Sequence, residues 1–132
     1  MKGIYCLIIT IKKDFKAKIG ALNLLSFKRG VYAYIGSAQN NLEKRIQRHL
    51  SKKKKIRWHI DYLLKNKNTA IKKVIYKKAS KEEECRIART MLAFSEAIGG
   101  FGCSDCKCCS HLFKLKNLKH LDKLGMEDFE SR

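Results

Sequence analysis

Residues 34–49 read YIGSAQNNLEKRIQRH. An aromatic strand end runs into a string of small residues, and that string leads into a basic helix. Gly36-Ser37-Ala38 reads as a compact turn that a ligand backbone can approach closely. Asn40 or Asn41 can cap the helix, and Asn40 with Glu43 has the spacing of a capping box. Along helix 42–50, Leu42, Ile46 and Leu50 share one apolar arc. Arg45 and His49 stand four apart on a flank of that arc, at the rim of a core. Lys44 and Arg48 continue the basic side and face outward, where a phosphate backbone would lie.

Working outward, residues 3–11 (GIYCLIITI) form an apolar run suited to a buried strand, and Lys12-Lys13-Asp14 end it. Twenty-eight residues separate Tyr5 from Tyr34, which implies an inserted hairpin or loop. Within it Ala17 to Leu22 reads as a short strand and Phe27 to Gly30 as a turn; Val31 to Ile35 forms the next strand. Lys52, Lys53, Lys54 and Lys55 link the basic helix to a helix over 56–65 that buries Ile56, Ile60, Leu63 and Leu64. His59 lies on the edge of that arc, either a site histidine or a satisfied core-edge one. Trp58 and Tyr62 share another face, under the inserted segment or stacked on a base. Residues 70–78 form a third strand, and Ser80 with Glu83 has capping-box spacing ahead of another helix. Glu84 falls near the centre of that helix's apolar arc. A carboxylate there needs a cation, a strong donor or a proton.

Cys6 and Cys85 sit in apolar patterns as small core residues. Residues 99–111, GGFGCSDCKCCSH, are different: Cys103 and Cys106 have zinc-knuckle spacing, and Cys108, Cys109 and His111 add donors at short range. The cluster reads as a Zn2+ site, with a disulfide or free thiols as the alternative. Leu112 and Phe113 lead into a last strand, and 117–129 into a basic amphipathic tail helix.

The 132 residues suffice for one domain, 1–132. Net charge is +18, and residues 44–78 hold fourteen Lys or Arg against one acid, Asp61. Such a field attracts a polyanion, so DNA or RNA is the expected partner. No secretory pattern and no apolar run of membrane-spanning length is evident, so the expectation is a soluble, cytoplasmic protein with no membrane partner.

Gly3-Ile4-Tyr5, Tyr34-Ile35-Gly36 and the helix after them together resemble the GIY-YIG nuclease superfamily, over roughly residues 1–95. The late segment resembles that of small archaeal proteins with such a core, which points to Cys106, Cys108 and His111 as ligands. The resemblance implies an α+β fold: a small mixed or antiparallel sheet of three or more strands flanked by helices. It implies a metal-dependent endonuclease. Tyr5 would deprotonate or orient the attacking water, with Tyr34 beside it and the Tyr5 pKa lowered by Arg45 and the metal. Arg45 would stabilise the charge building on the phosphate, His49 would bind phosphate or assist proton transfer, and Glu84 would hold Mg2+ or Mn2+. The commoner family pattern places the acid a turn later, where this chain has Arg89 and Thr90. A non-catalytic nucleic-acid-binding module on the same fold is the alternative, and a metal-stabilised interaction protein is a third reading.

Overall fold

A computed structural model describes residues 1–102 and 110–130. The chain runs β1 (Gly3–Ile11), β2 (Phe15–Lys18), β3 (Leu24–Phe27), β4 (Gly30–Ala38), α1 (Leu42–Leu50) and α2 (His59–Leu64). It continues through β5 (Thr69–Lys77), α3 (Glu82–Leu92), β6 (Ser95–Ala97), β7 (Leu112–Leu115) and β8 (Glu127–Asp128). Six strands make an antiparallel sheet in the order β6-β7-β4-β1-β5-β8, and β2 with β3 forms a separate hairpin. This is the expected α+β architecture.

β1 is apolar apart from Thr10, and it is covered on both faces. Its odd positions, Tyr5, Leu7, Ile9 and Ile11, join a core with Leu42 and Ile46 of α1 and Ile60 and Leu63 of α2. Its even positions, Ile4, Cys6 and Ile8, pack with Ile87, Ala88 and Met91 of α3. The β1–β4 register pairs Tyr5 with Gly36 and Leu7 with Tyr34. Side chains alternate along strands, so both tyrosines emerge on the α1–α2 face.

Several local expectations need correction. Gly36-Ser37-Ala38 is not a turn: the strand continues to Ala38, paired with Gly3, Ile4 and Tyr5. The inserted segment is the β2–β3 hairpin. Its first strand stops at Lys18, and Gly20 and Asn23, both at positive φ, reverse the chain. Only His59–Leu64 of the expected helix 56–65 is helical, and Ile56 lies 37% exposed rather than buried. The tail is a 3-10 turn over Leu118–Leu124 followed by β8, because Gly125 in the left-handed region ends the helical run. Asn41, not Asn40, caps α1, its Oδ1 accepting from Lys44 N at 3.0 Å. Ser80 and Glu83 form no capping box, since the Glu83 carboxylate pairs with Lys77 and Arg86 instead. Cys85 is half-buried, whereas Cys6 is wholly buried.

Gly36 shows why strands β1 and β4 can carry a site. A Cβ there would land on Cζ and the hydroxyl of Tyr5. The phenol ring occupies the space that any other residue would fill. Gly36→Ala should therefore lower unfolding free energy by about 2 kcal/mol, the scale of overpacking a tight core. Gly99→Ala, where an added Cβ meets nothing within 4 Å, should change it by less than about 0.5 kcal/mol. Urea titrations of the two variants check the pair.

Candidate active-site cleft

The residue that organises the site is the one acid of the basic stretch 44–78. Asp61 is fully buried at the start of α2. Its carboxylate accepts from Arg57 N at 2.9 Å and Trp58 N at 3.1 Å. Arg48 grips it in a fork, Nη1 to Oδ1 at 3.1 Å and Nη2 to Oδ2 at 3.0 Å. Burial pushes this carboxyl up, but these hydrogen bonds and the Arg48 charge outweigh it and hold Asp61 below the usual range. Arg48 is thus turned inward, not outward as its helix position suggested. Nη2 also donates to Lys55 O at 2.7 Å.

Trp58, held by its own N–H on Asp61, lies against two guanidinium groups: Arg48 at 4.4 Å and Arg45 at 4.7 Å from the ring centroid. Arg45 then reaches β4, its Nη1 donating to Ser37 O at 3.1 Å. Asp61 fixes Trp58, and Trp58 steadies Arg45. The sequence offered Trp58 only as packing or a stacking platform, and its partnership with Arg45 had no local signal.

Arg45, Trp58, Tyr5, Tyr34, Glu84 and His111 line one cleft of about 470 Å3. Tyr5 and Tyr34 come from neighbouring strands, Arg45 from α1, Glu84 from the first turn of α3 and His111 from the approach to β7. The expected set converges apart from His49, which stands behind the wall. Its ring is buried, and its Nε2 lies 2.7 Å from the Tyr5 hydroxyl. His59 also lines the cleft, and its Nδ1 accepts from Gly102 N at 2.9 Å. That bond leaves the proton on Nε2 of the neutral ring.

Burial dominates the titration of this site. It pushes the Tyr5 hydroxyl far up, and the Arg45 charge offsets only part of the shift. Tyr34 is driven the same way by burial and by the neighbouring Tyr5. The expectation that nearby cations lower the Tyr5 pKa is therefore reversed, and both tyrosines are phenols at neutral pH. Burial also lowers His49 to about 3, leaving it a neutral imidazole.

Glu84 is buried in the cleft wall, and its Oε2 stands 3.7 Å from His111 Nδ1. Among the described residues no three His, Cys, Asp or Glu side chains converge as a metal cage. Mg2+ needs less than that: one or two carboxylates, with waters and substrate oxygens completing its octahedron. Glu84 fits such a hydrated ion. The zinc expectation cannot be built the same way, because Cys103, Cys106 and Cys108 lie outside the described residues. His111 sits beside Glu84. Of the lysines expected to grip phosphate, Lys44, Lys52, Lys53 and Lys55 are exposed. Lys54 is turned inward, Nζ donating to His49 O at 2.8 Å and Ser51 O at 2.7 Å beyond the end of α1.

The family model described as "Domain of unknown function DUF123" matches residues 4–131. The chain belongs to that family. The expected membership of the GIY-YIG superfamily is corrected by this match: the family is a distinct one, and its model runs through β6, β7 and β8, well past the region on which the resemblance rested. Two tripeptides on adjacent antiparallel strands are a pattern that other chains can meet. No curated protein and no solved structure matches the chain. Among the described residues, no helix of this DUF123 member is long and apolar enough to cross a membrane.

A neutral buried imidazole has a consequence for stability. His49 falls from 6.5 to about 3 on folding, so the unfolded chain binds a proton more readily. Its contribution to stability is complete above pH 6.5 and is lost as pH falls from 6.5 toward 3. In that window it should impose a slope of up to about 1.4 kcal/mol per pH unit. Denaturant unfolding at several pH values should show His49→Gln with a flatter acid limb than the wild-type chain.

Proposed function

We propose that the cleft lined by Tyr5, Tyr34, Arg45 and Glu84 (the first cleft) binds a nucleic-acid backbone and hydrolyses a phosphodiester with the help of one divalent cation. The observation that carries the reading is the convergence of Arg45, Tyr5, Tyr34 and Glu84 on one cleft from four separate elements. A planar cation, two phenols and a buried carboxylate suit the charge and shape of a phosphodiester. The basic stretch over 44–78 supports a polyanionic substrate.

Arg45 meets the phosphate from the side of Ser37. Held against Trp58, its fork needs little reorganisation to follow charge building on the phosphoryl oxygens. Tyr5 orients the attacking water and works as a phenol. As the water oxygen bonds to phosphorus, its proton passes to the Tyr5 oxygen while the Tyr5 proton passes to His49 Nε2. The ester P–O bond breaks, and the leaving alkoxide takes a proton from solvent at the cleft mouth. Negative charge gathered at the reacting phosphate opposes the burial that disfavours a charged His49. Glu84 would hold Mg2+ or Mn2+, which supplies Lewis-acid polarisation of the phosphate when bound. Tyr34, packed 6.3 Å from the His49 ring centroid, walls the relay from water.

A non-catalytic binding module is the second reading, and one observation favours it. Burial leaves His49 a weak base and Tyr5 a weak acid, so the relay has little driving force without bound phosphate.

Cleavage of labelled single- and double-stranded DNA and RNA with Mg2+ or Mn2+ separates the two. Glu84→Gln should abolish cleavage and leave binding within about threefold, since a neutral isostere keeps the shape of the wall. Arg45→Ala should slow cleavage at least about a hundredfold. Absence of cleavage by the wild-type chain with either metal puts the binding module first. Binding itself should weaken steeply with salt, as counterions released from the polyanion set the slope. Affinity that is flat from low to physiological salt would remove nucleic acid as the partner.

A further inference from the structure

A second cleft of about 460 Å3 lies on the far side of His49. The Tyr5 ring lines the first cleft and His49 lines the second, so the Tyr5–His49 hydrogen bond joins the two. The second cleft has three chemically distinct parts. Leu50, Ile56, Leu64 and Ile71 give it aliphatic walls, and Leu50 and Ile56 are each 37% exposed there. Lys52, Lys65 and Lys67 add cations. In its lining, His49 is 2% exposed, and its buried Nδ1 has no hydrogen-bond partner among the described residues. Asp61 also lines this cleft, but Arg48 and two backbone N–H groups occupy its carboxylate. Lys54 also lines the cleft, but its Nζ is engaged by the His49 and Ser51 carbonyls, which leaves Lys52, Lys65 and Lys67 to meet a phosphate.

We infer that the second cleft is a nucleotide subsite, taking one base of the nucleic acid between its aliphatic walls with the attached phosphate on the lysines. The inference rests on the reading of the first cleft as a nucleic-acid site and adds where a neighbouring nucleotide goes. A nucleotide has an apolar base face and an anionic tether, which the aliphatic walls and the lysines of this cleft complement. Aliphatic walls would bind a purine or pyrimidine without choosing strongly between them. His49 stands in this wall while its Nε2 meets the Tyr5 hydroxyl of the first cleft, so a nucleotide packed here changes the surroundings of that bond.

The test is a titration of the full chain with adenosine 5′-monophosphate, followed by amide and His49 ring signals in NMR, with inorganic phosphate in parallel. Saturable shifts at Leu64, Lys65, Lys67 and Ile71 are expected, with phosphate binding at least about tenfold more weakly because it gains nothing from the walls. Ile56→Asp should weaken the nucleotide about tenfold, and Lys67→Glu should do so by severalfold. Lys119→Ala, exposed on the tail turn and in the lining of neither cleft, should leave it unchanged. Shifts confined to the first cleft, phosphate binding as tightly as the nucleotide, or affinity untouched by both Ile56→Asp and Lys67→Glu would each overturn the subsite. Nucleotide binding here in a chain that cleaves nothing overturns hydrolysis and keeps the subsite. Cleavage with no nucleotide shift at this cleft overturns the subsite alone.

Discussion

The Tyr5 ring lies over Gly36, and the site depends on that contact. β1 and β4 are paired with Tyr5 opposite Gly36, and the missing side chain at 36 is the space in which the phenol rests. The position has ordinary backbone geometry, so the glycine is there for room and not for a left-handed turn. With the ring laid across the neighbouring strand, its hydroxyl meets His49 of α1 and its edge faces the cleft. A similar close approach occurs at Gly3, where a Cβ would collide with the Lys77 carbonyl of β5. Strands pair closely on both sides of β1 and helices cover both its faces, so all of it but Thr10 is buried and it gives a rigid floor for the groups standing on it.

A second constraint works from the opposite wall. Asp61 is the only acid in the long basic stretch, and it is fully buried. A carboxylate removed from water is tolerable only with a complete set of donors. Here the donors are Arg48 and the backbone N–H groups of Arg57 and Trp58. The same donors start α2, pull the loop after α1 inward and present the Trp58 ring to Arg45. One buried charge thus orders a run of like charges that would otherwise repel. Arg45, Arg48 and Lys54 end in three different roles because their surroundings differ: a cleft, a buried ion pair and the carbonyls at the end of a helix.

The cleft also joins two cores. Tyr5, Tyr34 and α1 belong to one face of the sheet, while the apolar residues of α3 belong to the other. Glu84 lies in the first turn of α3 yet lines the same cleft as the tyrosines. Its place on an apolar arc was readable, since Ile87, Ala88 and Met91 recur with helical period and Glu84 falls among them. Its company was not, because no local pattern brings His111 from the far end of the chain to 3.7 Å from it. The family assignment illustrates the same limit. Two short tripeptides and a basic helix carry a resemblance, but the DUF123 match extends over nearly the whole chain and so weighs the strands that the tripeptides ignore.

By itself the sequence determined what period and composition can encode. The apolar run of β1, interrupted only by Thr10, suited a buried strand, and the spacing of α1 put Leu42 and Ile46 in the core, though Leu50 of the same arc stays 37% exposed. The charge balance pointed to a polyanion. Tertiary structure alone decided direction and protonation. Arg48 turned inward because Asp61 had to be paired once buried. Ile56 was left at the surface because Asp61 starts α2 only at His59. Tyr5 and His49 stayed neutral because packing removed the water that would have stabilised their charged forms. Each of these outcomes depends on what lies across space from a residue, and the identity of that neighbour is fixed only when β1, β4, α1 and α2 have packed together.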